Sequence, residues 1–290
     1  MLKEELRIAV AKELGVDESI VNVMDVMKNN SVKKISLTVS EKRGNVTVSP
    51  RIYIEDILRD IENGYASVSE AAEHIAKKYR ECKAFPIPNL EFTAETVMEN
   101  AFMQVVNAEK NAELLDKVPN MKILDLAGVV RFEVTGVTSG HVGTILVTYD
   151  LCRKFGIDVS ELLERAMENT KNAGFQIMGI GAMLGGLLGE EEEDDGAPGL
   201  CVVTNSEKMN GANAILFPEL FGDYAKRMRG DFFVLPSSIH EILLFPTSGA
   251  NASDLRMMVT EINATQVAPD EVLSDNVYLY KADTNELVVA

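Results

Sequence analysis

Residues 231–246 read Asp231-Phe232-Phe233-Val234-Leu235-Pro236-Ser237-Ser238-Ile239-His240-Glu241-Ile242-Leu243-Leu244-Phe245-Pro246. Two apolar runs flank a short polar stretch, which predicts a β-hairpin with strands at 231–236 and 240–246 that turns around Ser237 and Ser238. The second run is apolar at successive positions, so we expect that both of its faces are buried.

The segments on either side of this hairpin alternate between strand and helix patterns. Upstream, 200–204 and 214–217 are expected to be strands, and Pro218 is expected to begin a helix that ends at Gly230. Downstream, a helix is predicted from Ser253, followed by strands at 277–280 and 287–289. The order predicts an α+β fold, with mainly antiparallel sheet layers and helices packed on them.

The first half of the chain also contains both strand and helix patterns. Its predicted strands lie at 20–27, 35–39, 46–54, 129–135 and 144–149. Its predicted helices are 2–14 ending at Gly15, 54–62, one starting with the capping-box pair Ser67 and Glu70, one running from Thr93 through the apolar positions 97–106, and 160–169.

One segment is unusual in composition. Five glycines interrupt the apolar run 178–189, and six acidic residues, Glu190 to Asp195, follow it. A mobile loop is favoured over a membrane-active hairpin, because the run is short and adjoins like charges. We therefore predict an N-terminal α/β region at 1–173, a loop at 174–199 and a C-terminal α+β layer at 200–290. Whether the two regions form separate subdomains stays open.

The charge balance limits the classes of partner. The chain of 290 residues has 45 acidic and 28 basic residues, a formal charge of −17. Such a charge disfavours binding to nucleic acids and membrane surfaces, and it either attracts a basic protein or only maintains solubility. The three cysteines are widely spaced and favour neither a disulfide framework nor a zinc site. The N-terminus lacks an apolar signal region, so we expect a cytoplasmic location.

Several blocks resemble an uncharacterised family of domains of unknown function that is abundant in gut Firmicutes and their mobile elements. The similar blocks are Leu114–Pro119, Leu124–Ala127, Asp231–Glu241, and Asn263–Val267 through Val272–Asp275. The likeness extends over nearly the whole chain, from Asn29-Asn30 to the C-terminus, with 174–199 as the unmatched part. The resemblance implies one contiguous unit of bacterial, intracellular origin, and it implies no activity.

The predicted hairpin connection carries the only candidate catalytic residues, Ser237, Ser238, His240 and Glu241. A hydroxyl, an imidazole and a carboxylate are the groups used in nucleophilic catalysis. However, no Gly-x-Ser-x-Gly elbow exposes a serine, and a strand that began at His240 would place His240 and Glu241 on opposite faces. We therefore interpret His240 as structural and the serines as turn residues.

Candidate binding residues lie at the end of the last helix. Asn263, Thr265 and Gln266 precede Pro269 and could line a polar groove, or they could cap the helix. The three histidines are dispersed and the acidic run lacks the spacing of a calcium loop, so neither a metal site nor a cofactor is predicted.

Two hypotheses about function follow. In the first, the protein is not an enzyme and binds a basic protein through its acidic surface. In the second, it is a small hydrolase or ligand-binding protein that uses the Ser238/His240 hairpin. The oligomeric state is left open by the sequence.

Overall fold

The structure is a computed structural model of the 290-residue chain, and it describes residues 1–43, 46–83, 93–134, 143–181, 199–248 and 250–290. The chain folds into two compact units. Unit 1 comprises 1–92 and 134–143, and unit 2 comprises 93–133 and 144–290. These units do not coincide with the regions predicted from the sequence, because the predicted region 1–173 includes parts of both units.

Unit 1 is a small sheet with helices. Its helices are α1 (Leu2–Leu14), α2 (Glu55–Glu62) and α3 (Val68–Lys83). Its strands are β1 (Val21–Met27), β2 (Lys33–Val39), β3 (Glu41–Arg43), β4 (Val46–Val48) and β5 (Arg51–Tyr53). The order β1-β2-β5 is antiparallel, and β3 pairs with β4.

The core of unit 1 explains why α1 forms where it was predicted. Leu6 and Val10 lie on its buried face and pack with Leu37 of β2 and Ile75 of α3. The helix ends because Gly15 adopts φ 67°, a left-handed conformation that glycine reaches without steric cost.

The first part of unit 2 contains short helices and a second antiparallel sheet. Its helices are α4 (Ala94–Glu99), α5 (Ala112–Leu115), α6 (Tyr149–Phe155) and α7 (Val159–Asn172). Its strands are β6 (Ala101–Asn107), β7 (Asn120–Ile123), β8 (Leu126–Val134) and β9 (Gly143–Leu146). Strand β8 pairs with β6, with β7 and with β9.

A six-stranded antiparallel sheet occupies the rest of unit 2. Its strands are β10 (Gln176–Gly179), β11 (Cys201–Thr204), β12 (Phe232–Leu235), β13 (Ile242–Pro246), β14 (Tyr278–Lys281) and β15 (Glu286–Val289). Their order is β10-β11-β13-β12-β14-β15. Two helices, α8 (Gly222–Met228) and α9 (Ala252–Thr265), connect them, together with 3₁₀ turns at Gly211–Leu216 and Pro218–Phe221.

This architecture confirms the predicted α+β class, and β12 and β13 form the predicted hairpin, with Val234 opposite Leu244. In unit 1, the predicted strand 46–54 is two strands, β4 and β5, which belong to different sheets. Three local predictions in unit 2 were also wrong. Residues 101–107 are strand β6 instead of helix, because Ala101, Met103 and Val105 are buried against a partner strand with a period of two. Residues 214–216 belong to the 3₁₀ turn Gly211–Leu216, and Phe217 follows it. All four are buried, so the apolar run shows neither a helix nor a strand period.

The third wrong prediction concerns the glycine-rich segment. Gln176–Gly179, assigned to the loop at 174–199, is strand β10 and pairs with β11. The acidic run Glu190–Asp195 lies outside the described residues. Within the described parts of the chain, no helix is long and apolar enough to cross a bilayer.

Candidate functional site

The connection between β12 and β13 holds the four residues considered as catalytic candidates, Ser237, Ser238, His240 and Glu241. It runs beside residues 271–274, since the Ile239 amide donates to the Glu271 carbonyl at 3.0 Å and the Leu273 amide donates to the Ser237 carbonyl at 2.9 Å. Ser238 lies opposite Val272 in a single antiparallel bridge. The polar stretch therefore pairs through its backbone with residues 271–274, and it is not an open turn.

Ser237 belongs to a buried junction with Asn263. Its hydroxyl donates to Asn263 Oδ1 at 2.6 Å, and Asn263 Nδ2 donates to the Ser274 carbonyl at 3.0 Å and to Asp275 Oδ1 at 2.7 Å. Because Asn263 is only 7% exposed, these bonds satisfy an amide that would otherwise be costly to bury. The junction links α9 to two connecting segments.

The other two predicted binding residues do not join this junction. Thr265 Oγ1 donates to the Glu261 carbonyl at 2.8 Å, and the Gln266 amide donates to the Ile262 carbonyl at 2.8 Å. Both side chains are exposed. The bonds of both residues stay within the last turn of α9, so the structure brings only Asn263 to the hairpin connection.

Ser238 and His240 are in contact through the backbone. The Ser238 hydroxyl accepts the His240 amide proton at 3.1 Å, while His240 Nδ1 accepts from the Asn210 amide at 3.4 Å and Nε2 lies 3.6 Å from Glu271 Oε1. Among the described contacts, none joins the serine hydroxyl to the imidazole ring. A nucleophile and its base need that contact.

Glu241 precedes β13, which begins at Ile242, so strand alternation does not separate it from His240. Burial raises the pKa of the Glu241 carboxyl; the nearby His240 opposes this shift and the Glu271 carboxylate adds to it. His240 therefore lies with two carboxylates, Glu241 and Glu271. In the part of the chain that the structure describes, no group of three or more histidine, cysteine or acidic side chains is arranged to hold a metal.

A line of polar side chains leads from His240 to the other sheet of unit 2. The backbone amide of Asn210 contacts the imidazole, and the side-chain Oδ1 of Asn210 accepts from Gln104 Nε2 at 3.0 Å. Gln104 Oε1 in turn accepts from Arg131 Nη1 at 3.4 Å, and Arg131 Nε donates to Thr144 Oγ1 at 3.0 Å. Hydrophobic periodicity could not predict this line of polar contacts, because it joins segments that are distant in sequence.

A second cluster missed by sequence reasoning centres on Asp125. Its carboxylate accepts from Ser274 Oγ at 2.7 Å, from Asn276 Nδ2 at 2.9 Å and from the Tyr278 hydroxyl. Burial, together with the hydrogen bond to Asp125, raises the pKa of Tyr278. Each of these three side chains donates to the one carboxylate, which is typical of a structural network.

The described surface also has an open pocket of about 890 Å³ beside α8. Its lining includes Asp223, Lys226, Arg229 and Asp283, and it contains none of the predicted site residues. Charges of both signs are mixed there, and Lys226 is paired with Asp223 at 2.7 Å.

The blocks that carry the family resemblance converge in these networks. Asp125 lies in one block, Ser237 in a second, and Asn263 and Ser274 in a third. No curated protein and no solved structure was found to match the chain. The model of one family does match residues 1–282, and the chain therefore belongs to the Family of unknown function (DUF5688).

Proposed function

We propose that this is a non-enzymatic protein of the bacterial cytoplasm that binds a basic protein through the acidic surface of unit 2. The observation that carries the proposal is the distribution of charge. Unit 2 contains 14 basic and 30 acidic residues, a formal charge of −16. Unit 1 contains 14 basic and 15 acidic residues, a formal charge of −1.

This segregation favours a partner over a general role in solubility. A charge that serves only solubility has no reason to be confined to one compact unit. A surface of one sign accelerates encounter with a partner of opposite sign, and the association weakens as salt screens it. Several acidic side chains of unit 2 are exposed and have no ion pair among the described residues, including Glu261, Asp283 and Glu286.

The test compares two variants with the same change of charge. Glu261→Gln, Asp283→Asn and Glu286→Gln together remove three charges from unit 2, and Glu62→Gln, Glu73→Gln and Glu81→Gln remove three from unit 1. Both proteins are immobilised and exposed to a bacterial lysate at low and high salt. We expect the wild type and the unit 1 variant to recover the same basic protein, released by salt, and the unit 2 variant to recover less.

Equal recovery by both variants would count against the proposal. The hydrolase hypothesis makes a different prediction: turnover of an ester or amide substrate that disappears in His240→Ala, without any salt-released partner. That result would move the assignment to an enzyme that uses the hairpin connection.

A further inference from the structure

Arg131 is the least expected residue of the polar line in unit 2. It lies on β8 directly opposite Phe102 of β6, in an antiparallel register that places both side chains, and that of Gln104, on the same face of the sheet. Its side chain is partly buried there. A charged side chain on such a face normally has a partner of opposite charge.

The described partners of Arg131 carry no charge. Nε donates to the Thr144 hydroxyl and Nη1 donates to the Gln104 amide oxygen. No carboxylate of the described residues forms an ion pair with it, although other arginines of the chain are paired. These pairs are Arg7 with Glu4 and Glu18, Arg59 with Asp56, Arg80 with Glu13, Arg153 with Asp150, and Arg165 with Glu168.

Burial lowers the pKa of the Arg131 guanidinium, and the group is still protonated at physiological pH. Its positive charge is thus partly removed from water without a described counterion. Removing an ion from water is costly unless an opposite charge or several hydrogen bonds compensate it. The two hydrogen bonds to uncharged groups hold the planar guanidinium at Nε and at Nη1. Nη2 has no described acceptor.

We propose that Arg131 binds a small oxyanion, a carboxylate or a phosphate, with Thr144 and Gln104 fixing the orientation of the guanidinium. A guanidinium whose orientation is fixed presents parallel N–H groups that match two oxygens of such an anion. Gln104 is itself held by Asn210 at 3.0 Å, so its oxygen faces Arg131. The backbone amide of Asn210 donates to His240 Nδ1, so the proposed anion site is linked to the segment between β12 and β13.

The negative charge of unit 2 helps to distinguish anion binding at Arg131 from nonspecific adsorption of anions. A formal charge of −16 disfavours nonspecific adsorption of anions to the unit. A saturable response of Arg131 to an added anion would therefore come from local geometry. The site does not depend on the acidic surface proposed above, and either idea can fail alone.

The direct test is an NMR titration of the arginine Nε–H signals of the full chain. The signal of Arg131 is identified by its absence from Arg131→Lys and Arg131→Gln. Inorganic phosphate and acetate are added in separate arms, with sodium chloride at matched ionic strength as the third. We expect a saturable shift of the Arg131 signal with phosphate, with acetate or with both, and this pattern identifies the source of the oxyanion. No shift, or the same shift with chloride, would overturn the proposal.

A second measurement follows the melting temperature, because a ligand that binds the folded state raises it. The effective anion should raise the melting temperature of the wild type and of Arg165→Gln, an exposed control with the same loss of charge. The rise should be reduced in Arg131→Lys, which keeps the charge but loses the planar fork, and absent in Arg131→Gln. An equal rise in all four proteins would also overturn the proposal.

Discussion

The side chain of Asn213 pairs with the outer edge of β6 at Val105. Asn213 Oδ1 accepts the Val105 amide proton at 2.9 Å, and Nδ2 donates to the Met103 carbonyl. The amide thus makes the two bonds that a neighbouring strand would make, and Thr170 Oγ1 accepts the Met103 amide proton at 2.8 Å beside it. One buried asparagine completes a strand edge that would otherwise be left unsatisfied.

Asn213→Ala should therefore be strongly destabilising. It leaves the Val105 amide and the Met103 carbonyl buried without partners, at a cost of about 1–3 kcal/mol for each group. We expect the free energy of unfolding, measured in urea, to fall by about 2–4 kcal/mol.

Asn205 provides a matched control. Its side chain makes the same pair of bonds, to the amide and the carbonyl of Met209, but at an exposed turn. Because water can replace them, Asn205→Ala should cost no more than about 1 kcal/mol. Equal losses in the two variants would show that the edge of β6 is not the cause.

Gly211→Ala should destabilise the protein through steric overlap. A Cβ at this position would lie 2.6 Å from the Thr204 Cα atom and also overlap the His240 carbonyl oxygen, both of which belong to the backbone. We expect a loss of about 3 kcal/mol or more, or failure to fold. Gly222→Ala is the control, since its Cβ would have 4.0 Å to the nearest atom and would lie in α8. A thermal melt that ranks the two variants equally would contradict this account.

The buried tyrosines predict how stability depends on alkaline pH. Burial raises the pKa of Tyr224, Tyr278 and Tyr280 above the ordinary value of 10.0. Above about pH 10 the unfolded chain therefore holds fewer protons than the folded one, and stability falls by up to about 1.4 kcal/mol per pH unit for each such group. Below that pH this contribution is fully present.

Tyr278→Phe tests this dependence. It should cost about 1–2 kcal/mol at neutral pH, because the bond to Asp125 is lost, and it should make the alkaline fall less steep. Chemical denaturation from pH 7 to pH 11 measures both effects, with Tyr65→Phe at an exposed position as the control for loss of a hydroxyl. An unchanged alkaline slope in Tyr278→Phe would refute the assignment.

His240→Ala tests the structural interpretation of the hairpin histidine. Its ring contacts are long, 3.4 Å to the Asn210 amide and 3.6 Å to Glu271, and its side chain is 27% exposed. We expect a loss of about 1 kcal/mol, the value of one modest hydrogen bond. His74→Ala, on the exposed face of α3, should change the melting temperature little. If the two variants melt alike, His240 is not structural and its catalytic interpretation gains weight.

Sequence alone determined the features that depend on a few neighbouring residues. The Ser67–Glu70 capping box formed as its spacing predicted, with the Glu70 amide 3.2 Å from Ser67 Oγ and the Ser67 amide 2.8 Å from Glu70 Oε2. The end of α1 at Gly15 was predictable for the same reason, because its capping bonds close within one turn. The β12–β13 hairpin was predictable because its two apolar strands are separated by only a short polar stretch. The fold class follows from the order of such elements.

Only the tertiary structure decided which distant residues meet. The apolar positions at 97–106 suit a helix as well as a strand, and pairing with β8 makes 101–107 a strand because it buries Met103 and Val105. Asp125 and Ser274 are 149 residues apart, and Arg131 of β8 contacts Gln104 of the neighbouring strand β6. Local periodicity carries no information about sheet order, so the partners of a buried charge become visible only when the strands are assembled.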